Sequence, residues 1–198
     1  MQDMMRRNTA PSRNRRNGSQ RGFTLVEVIY VVILLGILAG FAAPFINVAK
    51  FRMNSGVIEV ATELMAAQRY AVLRGHDVVV AFDLENQWMR IHLDANNNGM
   101  IDTGEDTRAA QLSEGVSFGR ASGDPLTPST ETVTFTQYQG DLRSLTFHRN
   151  GSASELGAIY LTFNKSAMPS SNRAVLVIRS TAKVKCYSYE SGTWQETW

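Results

Sequence analysis

The chain has 198 residues, of which 43% are hydrophobic, and a formal net charge of +2. The charge is uneven, because residues 1–22 hold six Arg and one Asp (+5), whereas residues 23–198 hold 14 basic and 17 acidic residues (−3). A mildly acidic body argues against a protein that binds nucleic acid over its whole surface. A single cysteine, Cys186, excludes an internal disulfide and any cysteine-based metal site.

The first pattern along the chain is an apolar run, FTLVEVIYVVILLGILAGFAA, at residues 23–43. Its 21 residues include no Lys, Arg, Asp or His, and their one charged side chain is that of Glu27. About 20 apolar residues suffice to span a bilayer as a helix, and the positive-inside rule keeps a preceding basic segment in the cytoplasm. The sequence therefore predicts one transmembrane helix, with the body of the chain across the membrane.

An ordinary cleaved secretory signal fits this run poorly. The run is longer than the usual apolar region of roughly 7–15 residues, and the candidate cleavage sites at 39–43 lie within a pattern that continues with helical spacing. Processing between Gly22 and Phe23 would instead keep the run. We expect residues 1–22 to be removed as a basic leader and residues 23–43 to be retained.

The next segment, residues 44–75, predicts an amphipathic helix. Apolar residues recur at steps of three and four between 57 and 75, and charged residues punctuate the opposite side, as in a helix that lies on a folded domain. Pro44 removes one backbone hydrogen bond and should kink or break the helix, and Gly75 is a suitable C-terminal cap. We expect one helix, or two nearly collinear halves, over residues 23–74.

After Gly75 the hydrophobic period changes from helical to two, which is typical of strands. A long helix followed by strands that are mostly antiparallel predicts an α+β fold, with a β-rich domain over residues 76–198. The predicted strands are 76–83, 86–93, 115–120, 132–137, 142–149, 157–164, 173–180 and 183–190.

The stretch RGFTLVEVIYVVILLGILAGFAAP, residues 21–44, resembles the signature of type IV pilins and type II secretion pseudopilins. In that family a basic leader ends in Gly, and the mature chain begins with Phe and has Glu as its fifth residue. Here these positions are Gly22, Phe23 and Glu27, and Pro44 matches a proline that many members carry. The resemblance implies a pilin-like fold, cleavage by a prepilin peptidase after Gly22 and N-methylation of Phe23.

Segments behind the helix resemble a narrower subgroup, the H-type pseudopilins and FimT minor pilins. These segments are ELMAAQRYAVLRGHDVVVAF, LTFHRNGSASELGAIYLTF and RAVLVIRSTAKVK. The subgroup implies a minor subunit of a type II secretion pseudopilus or a type IV pilus, in contact with other pilins through its N-terminal helix. It implies a single-pass protein of the inner membrane with a periplasmic domain.

Glu27 has two interpretations. It lies about one turn from the helix end, where its carboxylate can reach the headgroup region at less than the roughly 2.5–3.5 kcal/mol of the bilayer centre. Alternatively, its carboxylate pairs in a filament with the new amine on Phe23 of a neighbour, which neutralises the charge and sets the register between subunits. We favour the second interpretation, because the position fits the family.

The stretch DANNNGMIDTGED, residues 94–106, satisfies the pattern D-x-[DN]-x-[DN]-G-x₅-E of calcium-binding loops. Hard oxygen ligands in a flexible loop suit Ca²⁺, and Ile101 would anchor the loop to the domain. The other interpretation is a solvated acidic turn between two strands. The predicted ligands are Asp94, Asn96, Asn98, Met100 (through its carbonyl), Asp102 and Glu105.

A third candidate site is basic. FimT-like competence pilins carry a Gly-Arg-x-Arg motif that binds DNA, and the matching stretch here, residues 182–185, reads AKVK. Lys183 and Lys185 would share one face of a strand, with Arg179 nearby. Lysine lacks the planar fork of arginine, so we favour a solvated strand face over a DNA site.

No pattern in the sequence indicates an enzyme: it has no nucleophile elbow, P-loop or H-E-x-x-H motif. The three histidines have no common spacing, and each is expected on a strand surface. The sequence therefore predicts a minor pilin or pseudopilin without a certain cofactor, Ca²⁺ being the one candidate. The alternatives are a DNA-binding minor pilin for DNA uptake and a single-span protein with a calcium-binding domain.

Overall fold

The computed structural model describes residues 22–42, 48–164 and 171–198. The chain separates into two compact units, residues 1–46 and residues 47–198. The described part of the first unit is one helix, α1 (Leu25–Ala42). Pro44, with its predicted kink, lies outside the described residues.

The second unit begins with a helix, α2 (Val48–Arg74), that ends as the sequence predicts. The N–H of Gly75 donates to the carbonyl of Ala71 at 3.0 Å. Gly75 has a φ of +72°, which glycine adopts at little cost because it has no Cβ. The chain therefore turns directly from the helix into the first strand.

Among the described residues, two antiparallel five-stranded sheets follow α2. The first sheet has the order β3-β2-β1-β6-β5 and the second has the order β10-β9-β8-β7-β4. The strands are β1 (Asp77–Asp83), β2 (Trp88–Asp94), β3 (Thr107–Gln111), β4 (Val116–Phe118), β5 (Gln137–Gln139), β6 (Leu142–Phe147), β7 (Gly157–Phe163), β8 (Arg173–Val177), β9 (Val184–Glu190) and β10 (Thr193–Glu196).

The predicted α+β fold is confirmed: one face of α2 and the inner faces of both sheets form a single core. In β1, Val78, Val80 and Phe82 face this core, because side chains alternate between the faces of a strand. The aromatic rings of Phe82 and Phe135 stack there with centroids 5.7 Å apart. The helix residues buried in the core are Met53, Val57, Val60, Ala61, Leu64, Ala67 and Ala71.

Glycine lets α2 approach the second sheet closely. A Cβ on Gly56 would lie 2.6 Å from Cγ2 of Val116 in β4. Glu59 of α2 also accepts a hydrogen bond from the hydroxyl of Ser113, just before β4. These contacts hold the first half of α2 against the edge of that sheet.

The outer face of the second sheet is covered by the loop at residues 121–131. The N–H of Leu126 donates to the hydroxyl of Tyr160 at 2.7 Å, and the indole N–H of Trp194 donates to the carbonyl of Asp124 at 2.8 Å. Tyr160 is fully buried although its side chain lies on the face away from α2. The proline-containing loop is therefore part of the folded domain.

Candidate functional site

The start of α1 is built by a polar residue ahead of the apolar run. The hydroxyl of Thr24 accepts a hydrogen bond from the N–H of Glu27 at 3.2 Å, and the carbonyl of Thr24 accepts one from the N–H of Val28 at 3.2 Å. The sequence T-x-x-E is that of a capping box, in which Thr satisfies a free N–H of the first turn. A carboxylate in the first turn is also favoured by the helix dipole.

This cap is a signal that the sequence analysis missed, and it gives Glu27 a role within a single chain. The bond to Thr24 uses the backbone N–H of Glu27, and the Glu27 side chain is exposed. Gly22 and Phe23 precede the helix and are exposed too. The predicted cleavage site is therefore accessible. The cap uses only the backbone of Glu27, so it does not account for a carboxylate at this position.

Large apolar side chains of α1 form a continuous exposed surface around the helix. Their exposed fractions run from 49% at Ile29 to 76% at Leu25. Apolar patches of this extent mark surfaces that a membrane or another protein covers. The members are Leu25, Val26, Val28, Ile29, Tyr30, Val31, Val32, Ile33, Leu34, Leu35, Ile37 and Leu38.

We also tested the helices against the length and apolarity of a membrane span. Within residues 22–42, 48–164 and 171–198, no helix satisfies both requirements.

The candidate calcium loop lies between two strands, as the sequence predicts, but the second of them is β3, which the sequence analysis did not predict. Asp94, which is 2% exposed, accepts hydrogen bonds from the N–H of Asn98 at 2.9 Å and of Gly99 at 2.7 Å. Gly99, the glycine of the calcium-loop pattern, has a φ of +76°, which suits the sharp turn that this pattern requires. Glu105, at the other end, accepts from the N–H of Ala95 at 2.8 Å.

The remaining side chains of the loop point toward one another. The amide nitrogens of Asn96 and Asn98 both donate to Oδ2 of Asp102, at 2.6 and 2.7 Å. Met100, whose carbonyl was predicted as a ligand, is 66% exposed. Ile101, predicted as an anchor, is half exposed.

These contacts bring five predicted calcium ligands into one hydrogen-bonded network. In the part of the chain that the structure describes, no three side chains of His, Cys, Asp or Glu are gathered as a metal site. A calcium ion here would therefore depend on amide and carbonyl oxygens as well as on carboxylates, as Ca²⁺ sites commonly do. Calcium binding stays a prediction.

The three basic residues proposed to contact DNA differ in their surroundings. Lys185 forms a salt bridge with Glu196 on β10, with 2.7 Å between Nζ and Oε2. This hydrogen bond raises the pKa of Lys185. Lys183 and Arg179 are exposed, in and beside the turn between β8 and β9. Nucleic-acid binding stays a prediction.

With this geometry in place, the chain was compared with known families. The model of the family "Type II transport protein GspH" matches residues 57–182, almost two thirds of the chain. The chain belongs to the GspH family. A second model, the prokaryotic N-terminal methylation motif, matches residues 17–43.

Individual relatives agree with this family. "Pilin-like protein PilA1" of Thermus thermophilus is 28% identical over 108 residues, which cover 54% of this chain and 69% of that protein. Two sequences named "Fimbrial protein" of Pseudomonas aeruginosa are each 38% identical over 63 residues, which cover 31% of this chain and 40% of theirs. The predicted resemblance to pilins and pseudopilins is confirmed: this GspH-family chain is a subunit of a type II secretion pseudopilus or a type IV pilus.

Two solved structures were also compared. The minor pseudopilin EpsH of Vibrio cholerae is 12% identical, with 74% of this chain and all of that chain covered and a TM-score of 0.48. The minor pilin FimU of P. aeruginosa is 11% identical, with 74% and 94% covered and a TM-score of 0.48.

Two buried titratable residues of this GspH-family chain differ from expectation or have no assigned role. His92 was predicted on a strand surface, but it is 2% exposed, and burial lowers its pKa. Cys186 is 1% exposed, and burial raises the pKa of its thiol to about 11. Because the thiolate is the reactive form, Cys186 is a packing residue at neutral pH.

The matched families are of pilin-type subunits rather than enzymes.

Proposed function

We propose that the chain is a minor pilin or pseudopilin that enters its filament through α1 after cleavage between Gly22 and Phe23. The observation that carries the proposal is the exposed apolar surface of α1, with one carboxylate in its first turn. A surface of this kind is stable in water only when something outside the chain covers it. In this family the cover is the membrane before assembly and neighbouring subunits after it.

The membrane stage uses residues 23–43 as a single span of the inner membrane. This run is 21 residues long in the sequence, which suits a bilayer of about 30 Å. The basic leader stays cytoplasmic by the positive-inside rule, so the domain at residues 76–198 is periplasmic. A prepilin peptidase would remove residues 1–22, and Phe23 would then be N-methylated.

The filament stage uses the carboxylate of Glu27. A charge at the centre of a bilayer costs roughly 2.5–3.5 kcal/mol on insertion scales, and burial between subunits without a partner carries a similar penalty. The amine of Phe23, created by cleavage, would neutralise Glu27 of a neighbouring subunit. The pair would also fix how far one helix is displaced along the next.

Replacement of Glu27 tests this pairing. Glu27→Leu should leave membrane insertion intact, because it removes a desolvation cost. It should reduce co-purification with partner pilins by about tenfold or more, the loss expected for a charge-assisted contact. Wild-type co-purification of the Glu27→Leu variant would refute the pairing.

Thr24→Ala is the matched control, because it removes the helix cap and keeps the carboxylate. We expect this variant to co-purify almost as well as the unmutated protein. If it loses as much as Glu27→Leu, the co-purification assay reports the integrity of the start of α1, and the pairing is refuted as the explanation of the loss.

The DNA-uptake alternative is not favoured, because Lys185 is engaged with Glu196 and the domain is net acidic.

A further inference from the structure

An open cavity of about 390 Å³ lies where two turns of the domain meet. One turn follows β6 and the other follows β8. Its walls carry hydrogen-bonding and apolar groups in nearly equal measure. They are His148, Ser152, Ala153, Ser154, Leu156, Ile178, Arg179 and Ser180.

The two turns are held together by the backbone and by α2. The N–H of Ala153 donates to the carbonyl of Arg179 at 2.8 Å. The side-chain amide of Gln68, on α2, donates to the carbonyls of Gly151 and Thr181, each at 3.0 Å. These bonds fix the distance between the walls, so the cavity is preformed.

The ring of His148 is fixed by a carboxylate behind it. Its Nδ1 lies 2.7 Å from Oδ2 of Asp77, and the other oxygen of Asp77 accepts the N–H of Arg149 at 3.0 Å. A carboxylate accepts hydrogen bonds, so Nδ1 carries the hydrogen and Nε2 is left as the second polar atom of the ring.

The same wall supplies hydroxyl donors. Oγ of Ser154 accepts the N–H of Thr146 at 3.2 Å, and its own hydrogen can therefore turn toward a ligand. By contrast, Ser152 donates its hydroxyl to Asn150 at 2.7 Å. Ser180 lies in the facing turn and is exposed.

Arg179 supplies the charge. It is exposed, and among residues 22–42, 48–164 and 171–198 no ion pair of its guanidinium is found, in contrast to Lys185. The chain after residue 22 is net acidic. A cation beside hydroxyl donors in a preformed cavity therefore stands out from its surroundings and favours a negatively charged ligand. A guanidinium binds oxyanions bidentately.

We propose that this cavity binds a phosphate group, free or as the monoester of a small alcohol. A tetrahedral phosphate has oxygens that can meet Arg179, Ser154 and Ser180 from different walls, whereas a planar carboxylate has two. The volume is at the lower end of the roughly 300–1,000 Å³ of small-molecule sites, and Leu156 and Ile178 would contact an organic portion. The site is independent of the proposed role of α1.

The test is isothermal titration calorimetry of the full chain in detergent micelles. Inorganic phosphate and glycerol phosphate are titrated separately, with sodium chloride at equal ionic strength as the reference. We expect saturable binding of one equivalent of at least one phosphate compound. Preference for glycerol phosphate would identify an ester site, and equal binding would identify a site for the phosphate alone.

Variants assign the binding to the cavity. Arg179→Gln should weaken binding about tenfold or more, because a charge-assisted contact is lost, and Ser180→Ala should weaken it less. Arg149→Gln removes the same charge from a residue that does not line the cavity, and it should bind as the unmutated protein does.

Three results would overturn the proposal. They are heat that sodium chloride reproduces, an equal loss in Arg149→Gln and Arg179→Gln, and binding of a single-stranded oligonucleotide without any response to phosphate. Binding of the oligonucleotide alone would assign Arg179 to a nucleic-acid surface.

Discussion

The two helices of this chain bury their apolar side chains in different ways. On α2, Val60, Leu64 and Ala71 are fully buried by sheets of the same chain. On α1, Ile29, the least exposed of the large apolar side chains described between residues 25 and 38, keeps 49% of its surface open. Apolar burial is the main favourable term in folding and in association alike. The second helix therefore stabilises the domain, whereas the first, in the function proposed here, would provide the free energy for insertion and assembly.

Calcium would stabilise the domain that α2 packs on and would leave α1 unaffected. If residues 94–105 bind the ion, the domain gains about 2.7 kcal/mol at 100 times Kd, whereas α1 is unaffected. Thermal unfolding of the full chain in detergent, with millimolar Ca²⁺ because such sites can bind at about 10⁻⁴–10⁻³ M, measures the gain. Mg²⁺ should do little, since it demands octahedral geometry at about 2.0–2.1 Å.

Loop variants decide whether the gain belongs to this site. Asp94→Ala combined with Glu105→Ala should abolish it, and Asp124→Ala, which removes an exposed carboxylate from another loop, should keep it. A gain that survives in the double variant, or no gain in the unmutated chain, would make the loop a solvated turn.

The glycines of the two helices sharpen the comparison further. Gly56→Ala places a Cβ 2.6 Å from Cγ2 of Val116, a stiff and buried side chain, and should destabilise the domain by about 1–3 kcal/mol. Gly36→Ala on α1 meets nothing within 4 Å, so it should leave the domain as stable as before. Urea unfolding followed by circular dichroism measures both.

A double variant shows whether the clash is the cause. Val116→Ala should recover part of the loss in Gly56→Ala, because neighbouring substitutions are not additive. Strictly additive losses, or a loss in Gly36→Ala as large as that in Gly56→Ala, would contradict the difference drawn between the helices.

The sequence predicts buried strands better than exposed ones. β1 and β7 were found within a residue of their ends, because apolar side chains fill them. β3, with the sequence TRAAQ, was missed because it is an exposed edge strand without alternation. The segment 132–137 reads as one strand, yet it is divided: Val133 bridges to Ile159 of the second sheet, whereas Gln137 begins β5 of the first sheet.

The candidate sites show the same limit. The calcium loop was found from spacing, since all its predicted ligands lie within 12 consecutive residues. The cavity between the turns was not, because Asp77, His148 and Arg179 are brought together by tertiary contacts, among them the pairing of β1 with β6 and the bond of Ala153 to Arg179. The partner of Lys185 was also hidden, since Glu196 lies on a strand too short to predict.

The central claim is that α1 is kept in the mature protein as an assembly helix, and the mass of the native protein tests it most directly. Mass spectrometry of protein purified from its own membranes should give a chain that begins at Phe23, heavier by one methylene if the amine is methylated. A chain that retains residues 1–22, or one cleaved near residue 43 and thus without α1, would contradict the account.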